Sequence, residues 1–434
     1  MSIADAPGAL DVARGERAVV IGAERVGQGN GRSPEARLEE AIGLAEAIGI
    51  EVVASRTLRL RSVRPATLLG KGQIEEVAKT AREHEAGLLV IDSPLTPVQQ
   101  KSLEEQVGTK VIDRTGLILE IFGERAATAE GRLQVELAHL DYQAGRLVRS
   151  WTHLERQRGG FGFLGGPGET QIEADRRLIR DRMARIRREL EQVKRTRSLH
   201  RGRRQRAPWP VIALVGYTNA GKSTLFNRMT GGEVLAEDML FATLDPTMRE
   251  VKLPGFDKAI LSDTVGFVSD LPTQLVAAFQ ATLEEVASAD ILIHVRDMAH
   301  SDRDSQREDV EHVLAQLGAG PEDEGAPPMI EAWNKVDLLP ASEREALQAE
   351  AARRQRTVPL SALTGFGIDT LREAIAECLH SGAQLHQISV PAGEGGKIAW
   401  LHARGEVIEQ QTRDSDVHLQ VRLSPENWAR FQSL

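Results

Sequence analysis

The 434-residue chain contains one cysteine, Cys378, and no long apolar run. A single cysteine excludes a framework of disulfides and is typical of a protein that stays in a reducing compartment. The most apolar segment, Val211–Gly216, is far shorter than the ~20 residues that a helix needs to cross a bilayer. Because the N-terminus also lacks a basic stretch followed by an apolar one, we expect a cytoplasmic protein without a membrane span.

Two common kinds of active site are missing from the sequence as well. The histidines form no H-E-x-x-H pair and no Cys/His set with the spacing of zinc ligands. No Ser/His/Asp set that would act as a nucleophilic site can be identified. The sequence thus gives no support to a zinc enzyme or to a hydrolase with a serine nucleophile.

The composition is that of a globular protein with segregated charge. With 41% hydrophobic and 27% charged residues the chain resembles ordinary soluble domains, and its length predicts about two to four of them. The net charge of −9 argues against nucleic acid as a partner, but residues 169–206 hold 14 Lys/Arg and 6 Asp/Glu. One basic segment therefore lies in an otherwise acidic protein.

Residues 1–125 alternate short apolar segments with segments of helical periodicity. This alternation predicts a small α/β domain whose sheet is mostly parallel and covered by helices. The predicted strands cover residues 18–22, 51–60, 88–92 and 110–113, and the predicted helices cover 34–48, 73–84 and 97–107.

Residues 126–206 carry the clearest periodicity of the chain. Apolar residues recur at steps of three and four over 133–154 and again over 179–193. The segment 159–168 between them is rich in glycine and contains a proline, so we predict a loop rather than a helix there. Two helices joined by such a loop predict an antiparallel hairpin, an arm about 40 Å long at ~1.5 Å per residue.

In residues 207–381 a predicted strand over 211–215 runs directly into a glycine-rich loop, and a predicted helix over 224–229 follows. The loop has the spacing G-x-x-x-x-G-K-S of a P-loop, in the strand–loop–helix context that this motif requires. Its main-chain N–H groups are expected to converge on phosphate oxygens, with Lys222 at the β- and γ-phosphates and the Ser223 hydroxyl on Mg²⁺. The predicted phosphate-binding residues are Gly216, Tyr217, Thr218, Asn219, Ala220, Gly221, Lys222, Ser223 and Thr224.

A second phosphate motif, D-x-x-G, follows the P-loop at the end of another apolar strand. It consists of Asp263, Thr264, Val265 and Gly266. Asp263 is predicted to support Mg²⁺ through a water, and the Gly266 N–H is predicted to contact the γ-phosphate. The motif is weak by itself, but its place behind a P-loop makes it specific.

Between the two motifs lies a segment that fits a nucleotide-sensing switch. A threonine that closes over Mg²⁺ only while the γ-phosphate is present would sense hydrolysis. We favour Thr243 over Thr247 for this role, and the alternative for either threonine is an ordinary turn residue. The residues predicted to join the GTP site here are Phe241, Ala242, Thr243, Leu244 and Asp245.

The bound base is predicted to be guanine from the N-K-x-D motif, which follows an apolar strand and contains Asn334, Lys335 and Asp337. The Asp337 carboxylate can accept hydrogen bonds from guanine N1–H and the N2 amino group, a pair of donors that adenine lacks. Lys335 is expected to lie along the base. The sequence Ser361-Ala362-Leu363 resembles the loop whose main-chain N–H meets guanine O6.

Residues 382–434 differ from the rest, and we expect a small α+β domain there. Predicted strands cover 388–390, 397–404, 406–412 and 417–423, and Ser424 with Pro425 indicates a short terminal helix. The whole chain is thus expected to be α/β, with four parts in order. These are a small α/β domain, a long antiparallel helical hairpin, a P-loop GTPase domain with a mostly parallel sheet, and this last domain.

Taken together, these motifs resemble those of the translation-factor-related GTPases. The segment 241–247, the D-T-V-G-F sequence that begins at Asp263, and the loop 159–168 with E-T-Q behind it resemble the HflX family within that group. The resemblance covers nearly the whole chain, least clearly after residue 381. It implies a Mg²⁺-dependent GTPase that binds the large ribosomal subunit and splits stalled or idle ribosomes, with its N-terminal domain and arm near the peptidyl-transferase region.

The residue after Gly266 is Phe267, where many small GTPases have a glutamine that orients the attacking water. A phenyl ring has no hydrogen-bonding group. We therefore predict slow GTP hydrolysis by the free protein, with water positioning completed by a partner or by another group. The resemblance implies a hydrophobic residue at this position in the family as well.

RNA is the expected target of the basic segment in the arm. Lys/Arg contacts to phosphates give an affinity that falls steeply with salt, and Phe161 and Phe163 are placed to stack on unpaired bases. The alternatives are a solvated helix face and aromatic rings packed under the hairpin. The candidate phosphate contacts are Arg176, Arg177, Arg180, Arg187, Arg188, Arg201, Arg203 and Arg204.

The sequence therefore predicts a GTP hydrolase that binds GTP, GDP and the large ribosomal subunit, and we expect a monomer. Two alternatives are a GTPase that regulates another RNA-related complex and a nucleotide-gated RNA-binding module in which hydrolysis is incidental. Stimulation of single-turnover hydrolysis by purified large subunits separates the switch from the module. The predicted catalytic residues are Lys222, Thr243 and Gly266, and the predicted Mg²⁺ ligands are Ser223, Thr243 and Asp263.

Overall fold

The computed structural model contains three β-sheets and a long helical arm. Within the described part of the chain, no helix combines the length and the apolarity of a membrane span. The described residues are 13–25, 32–157, 167–204, 209–232, 241, 247–269, 286–323, 325–381, 384–413, 416–423, 428 and 431–432.

The first sheet has the order β2-β1-β3-β4, and all of its strand pairs are parallel, as predicted. Its two central strands are buried over most of their length because helices cover both faces. The side chain of Ser33 caps the first helix by accepting the Ala36 N–H at 3.0 Å. The elements are β1 (Arg17–Arg25), α1 (Pro34–Glu46), β2 (Glu51–Leu60), α2 (Lys71–Glu83), β3 (Leu88–Asp92), α3 (Pro97–Val107), β4 (Lys110–Asp113) and α4 (Arg114–Arg125).

The arm consists of α5 (Ala129–Gln157) and α6 (Pro167–Arg204), which pack against each other through the apolar positions predicted for the second helix. Met183 and Ile186 are buried, and Arg182 donates two hydrogen bonds to the Glu136 carboxylate at 2.7 and 2.8 Å. The prediction of a loop over 159–168 was wrong at its end. Pro167 and Gly168 are helical, because proline at the first position of a helix loses no hydrogen bond. The rest of the predicted loop, with Phe161 and Phe163, lies outside the described residues.

The second sheet has six strands in the order β10-β9-β8-β5-β7-β6, and all neighbours are parallel except β6 and β7. Since the carboxyl ends of parallel strands meet at one edge, the loops after β5, β7, β9 and β10 come together there. The elements are β5 (Val211–Gly216), α7 (Lys222–Thr230), β6 (Thr247–Leu253), β7 (Phe256–Asp263), β8 (Ile291–Asp297), α8 (Arg303–Gln316), β9 (Met329–Asn334), α9 (Ala341–Ala351), β10 (Thr357–Pro359) and α10 (Ile368–Ser381).

The third sheet is antiparallel, with the order β11-β13-β12, and one helix follows its first strand. The prediction of a strand over 397–404 was wrong, because this segment belongs to a helix. Residues 398–401 form a short apolar run, which is compatible with a buried strand and with a buried helix, and in the structure Ile398 and Leu401 pack on the sheet. The predicted start of a terminal helix at Ser424 lies outside the described residues. The elements are β11 (Gln384–Pro391), α11 (Gly395–Arg404), β12 (Glu406–Arg413) and β13 (Asp416–Leu423).

Candidate nucleotide-binding site

The P-loop occupies the turn between β5 and α7. Gly216 has φ 149°, and a Cβ at this position would lie 2.3 Å from the carbonyl oxygen of Val295. Gly221 has φ 91°, and its Cβ would lie 2.3 Å from the side-chain nitrogen of Asn334. Glycine is therefore required at both ends of the loop, and the loop delivers the chain to the N-terminus of α7, where unpaired N–H groups favour an anion.

Lys222 and Ser223 open α7 with their side chains turned towards the loop. The Lys222 ammonium donates hydrogen bonds to the carbonyl oxygens of Gly216 at 3.1 Å and Tyr217 at 2.7 Å. Burial lowers the pKa of Lys222 to about 8, while the charge of Asp263 acts in the opposite direction. A buried ammonium over a loop of carbonyls is thus ready to exchange these partners for phosphate oxygens.

The residues present fit a magnesium ion. The Ser223 hydroxyl donates to the Asp263 carboxylate at 2.7 Å, so two oxygens of the kind that Mg²⁺ prefers meet beside the P-loop. No group of three or more His, Cys, Asp or Glu side chains suited to a metal occurs among the described residues. Mg²⁺ is usually held by one or two protein ligands together with phosphates and waters.

The D-x-x-G motif is bound to the P-loop through the main chain. The Phe267 N–H donates to the Gly216 carbonyl at 3.1 Å, and the Thr218 N–H donates to the Phe267 carbonyl at 2.7 Å. The Thr264 hydroxyl donates to the Leu214 carbonyl at 2.6 Å. A Cβ on Gly266 would lie 2.7 and 2.9 Å from atoms of Thr218, so glycine is needed for this close approach. The two predicted phosphate motifs therefore form one unit.

The side chain of Phe267 lies in the hydrophobic core and is 1% exposed. The position after Gly266 thus points away from the cleft. Phe267 has no polar group, and its ring packs in the core.

Asn334 connects the P-loop to the loop after β10. Its side chain is buried, donates to the Ala220 carbonyl at 2.7 Å and accepts the Ala362 N–H at 2.9 Å. Lys335 has φ 63° and forms an ion pair with Asp297 at 2.8 Å. These contacts bring the N-K-x-D and Ser361–Leu363 segments to the same edge as the P-loop.

Asp337 lies in the short 3₁₀ turn Val336–Leu338 that follows β9. Its side chain is half-buried, with no hydrogen bond or ion pair to the described residues. A carboxylate held at the edge of the cleft with its oxygens available fits an acceptor for the two guanine donors.

Arg228 is a residue of this region that the sequence analysis missed. From α7 its guanidinium donates to the Ala362 carbonyl at 3.2 Å and also to the Leu363 carbonyl. Ser361 is fully buried and accepts the Thr364 N–H at 3.1 Å. A lone arginine in a helix carries no sequence signal for such a role, since exposed arginines are common on helices.

The predicted switch segment is described at one position. Phe241 is buried and packs edge-to-face on Phe122 of α4, with the ring centroids 4.6 Å apart. Its side chain therefore contributes to packing against the N-terminal domain. The other four predicted residues of this segment, Ala242, Thr243, Leu244 and Asp245, lie outside the described residues.

Family models match the chain in four consecutive parts. The model described as "GTP-binding GTPase N-terminal" matches residues 35–123, and "GTP-binding GTPase Middle Region" matches 125–204. The model "50S ribosome-binding GTPase" matches residues 211–335, and "HflX C-terminal domain" matches 346–432.

Whole-chain relatives agree with these matches. A protein from Magnetococcus marinus named "GTPase HflX" is 48% identical over 395 residues, which cover 91% of this chain and 90% of the relative. A protein of the same name from Escherichia coli is 43% identical over 396 residues, which cover 91% of each chain. Among solved structures, a GTP-binding protein from Sulfolobus solfataricus in complex with GDP is 23% identical with a TM-score of 0.45, covering 84% of this chain and 99% of that one.

Proposed function

The chain belongs to the HflX family of GTPases, and on that premise we propose that it binds the large ribosomal subunit in its GTP state and splits or recycles stalled or idle ribosomes. In this proposal GTP hydrolysis ends the bound state. The proposal is supported by the presence, in one chain, of a candidate nucleotide site and of the long basic helix α6.

At the phosphates, we assign Lys222 to the β- and γ-phosphate oxygens, in exchange for the carbonyls of Gly216 and Tyr217 that it contacts in the structure. Ser223 and Asp263 would hold Mg²⁺, together with Thr243 of the switch segment. Bound Mg²⁺ neutralises charge on the phosphate oxygens. Gly266 would offer its N–H to the γ-phosphate, and the absence of a side chain keeps this approach open.

At the base, we assign Asp337 to guanine N1–H and the N2 amino group, and the Ser361–Leu363 loop to O6. Asn334 acts by holding that loop against the P-loop, so that base and phosphate contacts stay at a fixed separation. Lys335, paired with Asp297, lies along the base through its aliphatic part.

On the arm, α6 is 38 residues long, or about 57 Å at ~1.5 Å per residue. Met183 and Ile186 of α6 are buried and Arg182 pairs with Glu136 of α5, whereas Arg177, Arg180 and Arg187 are exposed. An extended row of guanidinium groups on a rigid helix fits the phosphates of ribosomal RNA.

Sucrose-gradient sedimentation of the full chain with ribosomes tests the proposal. With a non-hydrolysable GTP analogue, we expect the chain to sediment with large subunits and the fraction of free subunits to rise, and with GDP we expect neither. A chain that stays at the top of the gradient with both nucleotides would overturn the ribosomal role.

A pair of matched variants tests the arm. Arg177→Gln with Arg180→Gln removes two exposed charges from α6, and Arg344→Gln with Arg353→Gln removes two from the GTPase domain. We expect the first pair alone to reduce the slope of log affinity against log salt by about 1.4–1.8, since each phosphate contact contributes ~0.7–0.9. Equal slopes would favour a solvated helix face. If large subunits bind but do not stimulate single-turnover hydrolysis, the chain is a nucleotide-gated RNA-binding module.

A further inference from the structure

A buried cluster of charged and polar side chains joins the N-terminal domain to the nucleotide site. Glu40 of α1 and Arg114 of α4 come from the N-terminal domain, and Tyr217 of the P-loop and Ser269 come from the GTPase domain. Arg114 is 3% exposed, Tyr217 4% and Ser269 7%. Such a cluster is costly to bury unless every member finds partners.

The Glu40 carboxylate receives hydrogen bonds from four groups. One oxygen accepts the Tyr217 hydroxyl at 2.5 Å and an Arg32 nitrogen at 3.0 Å. The other accepts the Ser269 hydroxyl at 3.0 Å and a nitrogen of Arg114. Burial alone would raise the pKa of Glu40, but Arg114 and Arg32 lower it to about 2. The carboxylate is therefore ionised and fully used.

All three polar atoms of Ser269 are held by this cluster. Its N–H donates to the Tyr217 hydroxyl at 2.7 Å, and its carbonyl accepts from Arg114 at 2.9 Å. Its hydroxyl accepts from Arg114 at 2.7 Å and donates to Glu40. Arg114 is fixed in turn by Asp92, which accepts at 2.6 Å. A residue of the GTPase domain is thus fastened to two elements of the N-terminal domain.

Ser269 lies three residues after Gly266, which is expected to contact the γ-phosphate. Between them, the main chain of Phe267 forms hydrogen bonds with Gly216 and Thr218, the residues on either side of Tyr217. A shift of Gly266 that follows the γ-phosphate is therefore transmitted along a short, hydrogen-bonded segment to Ser269. No flexible linker separates the two residues.

A buried ion pair gives little net stability, because the desolvation of both charges offsets their attraction. Its better-attested use is to fix one arrangement of the elements that it joins. The Glu40–Arg114 pair has the placement for this use, since its partners Tyr217 and Ser269 lie on the P-loop and directly after the D-x-x-G motif.

We propose that Glu40 and Arg114 are positioning residues for the GTPase site, through which the N-terminal domain and the γ-phosphate influence each other. When Ser269 is in the arrangement held by the cluster, the D-x-x-G segment takes one position relative to the P-loop. Because coupling is reciprocal, a change at Glu40 alters the preference of the distant site for GTP over GDP. This inference depends on GTP binding but not on any role at the ribosome.

The affinities of the full chain for GDP and for a non-hydrolysable GTP analogue provide the first test. We expect Glu40→Gln and Tyr217→Phe each to change the ratio of the two dissociation constants by about tenfold, within the usual range of coupling. The matched control is Tyr142→Phe. Tyr142 donates to the buried Asp113 carboxylate at 2.6 Å within the N-terminal domain and the arm, and it is the chain's other tyrosine.

Fluorotyrosine labelling provides a second test that does not depend on activity. Because the chain has two tyrosines, ¹⁹F NMR of the labelled protein gives two signals, which Tyr142→Phe assigns. We expect the Tyr217 signal to differ between GDP and the GTP analogue, and Glu40→Gln to reduce that difference.

The tests remain decisive if one variant folds poorly, because the NMR comparison of nucleotides uses the unaltered chain. An identical Tyr217 signal in the two nucleotide states would overturn the proposal. So would a ratio of dissociation constants that stays within twofold of the parent in folded Glu40→Gln. Equal changes in Tyr142→Phe and Tyr217→Phe would show a general loss of stability instead, and would also overturn it.

Discussion

Replacement of Asn334 by alanine should show whether this residue acts by holding the P-loop and the loop after β10 together rather than by contacting the base. The Asn334 side chain satisfies the Ala220 carbonyl and the Ala362 N–H, and all three residues are buried. Each buried group left without a partner costs about 1–3 kcal/mol, so the loss is roughly 2–6 kcal/mol. A cost of about 2 kcal/mol on the arrangement that binds nucleotide lowers the affinity about 30-fold.

Calorimetric titration of Asn334→Ala with GDP and with the GTP analogue measures this effect. We expect both affinities to fall by a similar factor, because Asn334 holds the P-loop and the loop after β10 together in either nucleotide state. Asn334→Asp is the informative companion. It keeps the acceptor for Ala362 but turns a carboxylate oxygen towards the Ala220 carbonyl, so it should bind no better than the alanine variant. Binding of GDP within twofold of the parent by either folded variant would refute this account.

Three further outcomes follow from the site. Asp337→Asn should abolish most of the preference for GDP over ADP, because the amide nitrogen would face one of the two guanine donors and leave it without an acceptor. Competition titrations measure this preference, and an unchanged preference contradicts the assignment. Phe267→Gln should lower the melting temperature without raising GTP turnover, because the position is buried in the core; faster turnover would show that the side chain reaches the attacking water. Nucleotide affinity should fall as pH rises above 8, with uptake of a proton near pH 9, because burial lowers the pKa of Lys222 to about 8 and phosphates favour its charged form. Calorimetry in two buffers of different ionisation enthalpy detects that proton, and its absence argues against phosphate contact by Lys222.

Much of the fold could be predicted because its signals are local. The strand of the P-loop is a continuous apolar run that ends in glycine, and the first sheet alternates strands and helices with clear caps. The failures came where one pattern fits two structures. Residues 398–401 form a short apolar run, which occurs in buried strands and in buried helices, and packing on the third sheet favours the helix.

The nucleotide site was predictable for the same reason. A P-loop that is to bind phosphate needs glycine at Gly216 and Gly221, whatever the surrounding sequence, because a Cβ would meet neighbouring atoms at each position. These requirements fix residue types at fixed spacings, so they remain visible in one sequence. Arg228 escaped detection because an arginine is accepted almost anywhere on a helix, and its contacts with Ala362 and Leu363 depend on how α7 lies beside the loop.

The cluster around Glu40 was out of reach for a deeper reason. In α1 this residue stands in the sequence P-E-A-R-L-E-E-A-I, where a glutamate is typical of a solvated face. The packing of the N-terminal domain beside the GTPase domain places a carboxylate oxygen of Glu40 2.5 Å from the Tyr217 hydroxyl. The nucleotide-contacting parts of such a protein are short sequence motifs, because binding a phosphate requires particular residue types at fixed spacings. The contacts that connect those parts to another domain are set by the relative position of whole elements, and a single sequence carries no spacing that reveals them.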